Sequence, residues 1–146
     1  MRLLELYHKA QQRDLNDEEL AQVNEDLYGL ERTLGIRYVA LGPKHVEAEL
    51  EVGSGHLQPA GLVHGGVYTA LVESVGSTAA LLATGKLVVG VTNSTDFIAS
   101  TRSGLLRASA TPLQVGKRTQ LWQARITDDA AHLLAHGQLR TMTQYG

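Results

Sequence analysis

Residues 57–84, LQPAGLVHGGVYTALVESVGSTAALLAT, are apolar almost throughout, hold no Lys or Arg, and carry a single acidic side chain, Glu73. Pro59, Gly61, Gly65 and Gly66 crowd the front of this stretch, and no Pro interrupts it from Val67 onward, which predicts a helix of more than three turns. At about 100° per residue, Gly66, Thr69, Ala70, Glu73, Gly76, Ser77 and Ala80 share one face, with Val67, Tyr68, Leu71, Val75 and Leu82 opposite. The carboxylate thus sits on a stripe of small residues, where another chain segment or a ligand can approach the backbone. The bulky face anchors the helix to a core. A helix this apolar must be covered on most sides, and a curved antiparallel sheet wrapped around it does that. Burying an unpaired carboxylate is costly. Glu73 therefore either finds a cation elsewhere in the fold or is used.

The 146 residues suffice for one domain with one sizeable core. A net charge of −2 gives no electrostatic reason to expect nucleic acid, and the absence of Cys removes disulfides, thiolate nucleophiles and zinc-cysteine sites. The opening MRLLELYHKAQQRD has too short an apolar core for a signal peptide, which points to the cytoplasm. By length alone residues 57–84 match a membrane span, yet Glu73, His64, the glycines and the hydroxyls argue against insertion. A soluble protein, binding no membrane, is expected.

Residues 1–33 read as a helical N-terminal extension. Leu3, Leu4 and Tyr7 mark a short amphipathic piece, and Asn16 with Glu19 predicts a capping box for a second helix that buries Leu20, Val23 and Leu27. Residues 34–146 form the main domain. There the apolar period changes to two: Ile36, Tyr38 and Ala40 alternate, Gly42-Pro43-Lys44 turns, and Val46, Ala48, Leu50 and Val52 alternate with His45, Glu47, Glu49 and Glu51. After the long helix, four strands follow in meander spacing: 87–98, 105–115, 120–127 and 132–142, with turns near 102–104, 116–118 and 128–129. The class is α+β.

That order, with GLVHGGVYTALVESVGSTAA opening the helix, resembles the hotdog fold. Within it the chain is similar to the acyl-CoA thioesterases of the phenylacetate-pathway, 4-hydroxybenzoyl-CoA and 1,4-dihydroxy-2-naphthoyl-CoA type. The likeness spans roughly residues 34–142 and rests on Gln58, on His64-Gly65-Gly66 followed nine positions later by an acid, and on Gly116-Lys117 in a late turn. In the subgroup that uses Glu with a hydroxyl one turn later, the matching positions are Gln58, His64, Gly65, Glu73 and Ser77. The resemblance implies hydrolysis of an acyl-CoA, of aryl or medium-chain type, without cofactor or metal, by homodimers that pair into homotetramers. The alternative is a hotdog protein that binds acyl-CoA without turning it over.

The chemistry of these residues can be worked through independently. Gly65 starts the helix, where free N–H groups and the positive end of the macrodipole offer an oxyanion hole to a thioester carbonyl. Two glycines also serve a tight loop-to-helix entry. Glu73 is positioned to act as nucleophile or as general base. It lies eight residues beyond Gly65, about 12 Å along the axis. One chain cannot bring both to the same carbonyl, so cooperation requires two antiparallel helices from a two-fold dimer, each site being shared. Ser77 either hydrogen-bonds Glu73 and holds water or fills a helix contact. Gln58 either reaches the thioester or satisfies its loop, and His64 either polarises the thioester or steadies the loop. For the CoA phosphates, Lys117 and Arg118 are the first candidates and Arg102 the third, against the alternative of solvated turns. Where many relatives carry Arg-Pro, this chain has Phe97-Ile98-Ala99-Ser100, so one phosphate contact of the family is missing.

Overall fold

The computed structural model describes residues 2–144. Its first part is a set of short helices, α1 (Arg2–Ala10), α2 (Asp17–Asp26) and α3 (Gly29–Leu34). The capping box forms: Asn16 Oδ1 accepts from Glu19 N at 2.9 Å, and the Glu19 carboxylate accepts from Asn16 N at 3.0 Å. Both Arg13 guanidinium N–H ends also reach Glu19 at 2.8 Å, and these bonds first, with the Asn16 amide next, hold its carboxyl at about 2. α1 buries Leu3, Leu6 and Ala10, while Leu4 turns to solvent. That corrects the expected Leu3-Leu4-Tyr7 stripe, because a 3.6-residue period selects i, i+3 and i+7. Val23 and Leu27 are buried and Leu20 is half-buried, as expected. α3 has no counterpart in the sequence reading.

The remainder is β1 (Arg37–Leu41), β2 (Val46–Glu51), the long helix α4 (Gly65–Thr84), and strands β3 (Val88–Phe97), β4 (Leu105–Val115), β5 (Thr119–Thr127) and β6 (Leu133–Thr143). They form one antiparallel sheet in the order β1-β2-β4-β5-β6-β3. The meander expectation holds for β4, β5 and β6 only. β3 pairs with β6 and not with β4, so β4 lies against β2 and β3 becomes an edge. The patterns explain this placement. β4 and β5 alternate cleanly, with Leu106, Ala108 and Ala110 and then Trp122, Ala124 and Ile126 buried, whereas VVGVTNSTDF offers no continuous apolar face for a central position.

The sheet curls around α4, which buries Val67, Tyr68, Leu71, Val72, Val75 and Leu82 among others. α4 is long and apolar enough to cross a membrane by composition, but more than half of it is buried within the domain. Its small-residue stripe divides. A Cβ on Gly76 would come within 2.8 Å of Leu139 Cδ2, and both Gly76 and Ala80 are buried. Thr69, Ala70, Glu73 and Ser77 remain open to a cleft. The covered part lies under β6, whose Leu139 packs on Gly76, whereas Leu3, Tyr7 and Leu27 of the extension wall the open part. The Tyr38 hydroxyl ties the layers together, 2.9 Å from Thr78 Oγ1, donating to Ser74 O at 3.2 Å and to Glu31 Oε1 at 3.3 Å.

Candidate active site

The entry to α4 is fixed by two histidines. His64 is the N-cap: its Nδ1 accepts from Gly66 N at 2.8 Å and its own N–H donates to His56 O at 2.8 Å. Neutral His64 must then carry its proton on Nε2. His56 braces the preceding loop, accepting from Gly53 N at 2.8 Å and donating from Nε2 to Leu34 O at 2.6 Å. Gly65 begins the helix, so its N–H has no intrahelical acceptor. A side chain there would meet the Phe97 ring, with Cζ only 2.5 Å from the would-be Cβ. A Cβ on Gly66 would sit 2.9 Å from His64 Nδ1. The double glycine is thus demanded by packing at the turn, and the same packing leaves the Gly65 backbone approachable.

Gln58 lies in the loop before α4. Its Oε1 accepts from Ala60 N, and its amide NH2 has no partner among the described residues. Gln58, Gly65, Tyr68 and Phe97 line one cleft of about 410 Å³. Glu73 and Ser77 line a different one, of about 800 Å³, together with Thr69, Ala70 and Asn93. Glu73 is exposed, with Oε1 3.6 Å from where a Gly90 Cβ would be, and no cation or donor of the described residues engages it. The alternative of a Glu paired within its own chain therefore fails. In a single chain the two groups of candidate residues stand in separate clefts.

Of the cations, Arg102 donates from Nη1 to Ala60 O at 3.0 Å and so braces the Gln58 loop. Lys117 and Arg118 occupy the exposed turn between β4 and β5, where their carbonyls accept from Thr143. None of the three lines either cleft. Sequence reasoning missed Tyr28 and Glu31, which wall the larger cleft from the extension, and Asn93, which donates to Thr69 O at 2.9 Å from β3. Only the tertiary fold brings these three to α4; no local pattern marks them. Burial pushes the Glu31 carboxyl up, opposed by the hydroxyls of Tyr38 and Ser74.

Residues 60–135, more than half of the chain and the part that carries the glycine turn, α4 and most of the sheet, match the thioesterase superfamily. The chain belongs to that superfamily. Among its curated thioesterase-superfamily relatives is a Mycobacterium tuberculosis (strain ATCC 25618 / H37Rv) protein named as an esterase, 46% identical over 112 residues, 73% of this chain and 80% of the relative. Another is the 1,4-dihydroxy-2-naphthoyl-CoA hydrolase of Escherichia coli (strain K12), 38% identical over 110 residues, 74% of this chain and 81% of the relative. The solved structure of the M. tuberculosis esterase superposes with a TM-score of 0.78 at 42% identity, over 80% of this chain and 96% of that one. The E. coli PaaI protein of the phenylacetic acid degradation operon, at 20% identity, shares the fold with a TM-score of 0.80 over 97% of both chains. This thioesterase therefore has the hotdog fold, and its class of reaction is hydrolysis of acyl-CoA thioesters.

Proposed function

We propose that this thioesterase hydrolyses an aryl- or medium-chain acyl-CoA at sites shared by two subunits, with Glu73 from one chain and the Gly65 N–H from its partner. The observation that carries the reading is the unpartnered, exposed Glu73 in a cleft that does not contain Gly65. On one helix the two are about 12 Å apart along the axis. A two-fold pair of antiparallel α4 helices removes that separation and makes two equivalent sites. β3 supports such a pairing: it is an edge strand of 10 residues beside α4, with Val91 and Phe97 more than half exposed. Pairing of dimers into a tetramer and a cytoplasmic location are parts of the same reading.

In the reaction the Gly65 N–H, aided by the free amide of Gln58, holds the thioester oxygen as it gains charge. His64 keeps the turn in place through Gly66. By the nucleophilic route a Glu73 oxygen bonds to the carbonyl carbon, the C–S bond breaks, thiolate leaves, and water cleaves the anhydride to acid and free carboxylate. By the general-base route Glu73 takes a proton from the attacking water and the departing thiolate is protonated in turn. Ser77, one turn on, orients that water or carboxylate. Lys117, Arg118 and Arg102 are proposed to meet CoA phosphates across the assembled oligomer. The test follows release of free CoA thiol from a panel of acyl-CoAs. Glu73→Gln should lower kcat about 10²- to 10⁴-fold with folding unchanged. Full activity in that variant overturns the assignment, and saturable binding by the wild type without thiol release identifies a silent binder.

A further inference from the structure

The edge strand β3 runs beside α4, and its inner face meets the turn that carries Glu73 at two points. Gly90 is the first: a Cβ there would stand 3.6 Å from Glu73 Oε1, so the missing side chain leaves the carboxylate its room. Asn93 is the second, its Nδ2 donating to Thr69 O at 2.9 Å. Positions 90 and 93 are an odd number of residues apart and would point to opposite faces of a regular strand. The register of β3 on β6 slips between Gly90 and Thr92, and this bulge brings both to the helix side.

The Asn93 amide fits only one way round. A carbonyl accepts and cannot donate, so the NH2 end must face Thr69 O, and the oxygen end is left for Thr95 Oγ1, which donates to it at 2.7 Å. Thr95 shares the face of Asn93, and its hydroxyl thereby fixes the amide's orientation. In an α-helix the carbonyl of residue i accepts from the N–H of residue i+4, so Thr69 O is also the acceptor for the backbone of Glu73. Thr69 Oγ1 is engaged elsewhere, donating to Gly66 O at 3.0 Å. A line of bonds thus runs from Thr95 through Asn93 to the turn that ends in Glu73, and Thr69, Glu73 and Asn93 line the same cleft.

We propose that Asn93 is a positioning residue for Glu73: by tying β3 to the Thr69 carbonyl it fixes where the carboxylate stands relative to the edge strand. The inference rests on the reading of Glu73 as the reacting acid and adds the element that aims it. Asn93 need not touch the substrate, because a displacement of about 1 Å at a reacting group already costs about 10²-fold.

The test introduces Asn93→Ala into the wild type and into Glu73→Gln, and follows thiol release from benzoyl-CoA and from hexanoyl-CoA. Asn93 is only half-buried, and Thr69 O keeps its helical donor when the amide is removed, so the variant folds; circular dichroism at the assay temperature checks this. With Glu73 present, Asn93→Ala should lower kcat about 10- to 100-fold, with KM unchanged and the same factor for both substrates. In the Glu73→Gln background it should cost nothing further, because a residue that acts only through Glu73 has nothing left to place. Thr95→Val leaves the amide present but unoriented. It should lower kcat by less, and have no effect in the Asn93→Ala background. The proposal is overturned by an unchanged kcat in folded Asn93→Ala, an equal loss in both backgrounds, a loss confined to one substrate, or a Thr95→Val loss that persists without the amide. Full activity in Glu73→Gln alone overturns the reading of Glu73 and the inference with it, a separate result seen before Asn93 is touched.

Discussion

If each site is shared between two chains, as proposed, a quantitative prediction follows. Two variants are needed, one removing the acid and one blocking the amide. Glu73→Gln keeps the side-chain size and removes the charge. Gly65→Val places branched carbon where the Phe97 ring already stands 2.5 Å from the first added atom, so the ring is displaced and the approach to the Gly65 N–H is closed. Each variant alone should be inactive at both sites, since loss of an oxyanion donor costs about 10²- to 10³-fold and loss of the acid or base about 10²- to 10⁴-fold. In a mixed dimer, one site receives the intact Glu73 of the Gly65→Val chain and the intact Gly65 of the Glu73→Gln chain; the other receives both lesions. Random assembly makes half the dimers mixed and half their sites whole, so co-expression should restore about a quarter of wild-type activity. Mixed dimers isolated with two affinity tags should show about half. If one chain supplied both groups, every site would carry a lesion. Recovery at the level of the single variants would therefore refute the shared site, and the separation of Gly65 and Glu73 into two clefts would then need another explanation.

Four further outcomes follow from the same geometry. Ser77→Ala should lower kcat about 10-fold with little change in KM, read from thiol release; an equal effect on KM alone would show that Ser77 only fills the cleft. Lys117→Glu with Arg118→Glu should raise KM for acyl-CoA but not for the matching acyl-pantetheine, which lacks the nucleotide phosphates, and equal effects on both substrates would remove these residues from the CoA site. Gly76→Leu should cost about 1–3 kcal/mol by overpacking, because the Leu139 side chain already stands 2.8 Å from a first added carbon, and an unchanged denaturant midpoint would contradict that. For Glu19, folding lowers the carboxyl pKa from its ordinary 4.5 to about 2. The contribution is complete above 4.5 and is lost as pH falls through about 2, so Glu19→Gln should flatten the acid limb of the stability curve between these values, and an unaltered limb would count against the capping network.

The helix α4 could be read from sequence because its signal is local: a run without Pro or charge other than Glu73, opened by glycines and closed by Gly85, which takes the left-handed φ of 68° and donates to Leu81 O. The β1–β2 hairpin and the capping box at Asn16 were legible for the same reason. The place of β3 was not. Pairing partners are chosen by the fold as a whole, and the sequence VVGVTNSTDF only says that such a strand suits an edge. The stripe on α4 shows the limit from another side. Helical spacing put Gly76 and Ala80 with Glu73, but which part of a face stays open depends on what lies over it, and the side chain over Gly76 is Leu139, from β6, the last strand in the chain.

The same distinction separates the parts of the site. Gln58, His64, Gly65, Glu73 and Ser77 fall within 20 consecutive residues, so their spacing could be matched as a motif. Tyr28, Glu31 and Asn93 come from an extension and an edge strand that share no pattern with α4. There is a physical reason for such a division. Groups that act on a common thioester carbonyl must hold a fixed geometry whatever the acyl chain, and in the proposed dimer each helix with its entry turn supplies its share of that geometry from adjacent sequence. Groups that choose among acyl chains need only line the far wall of the cleft, and any element that reaches the wall will serve. A reading of α4 alone therefore recovers the reaction and leaves the acyl preference open.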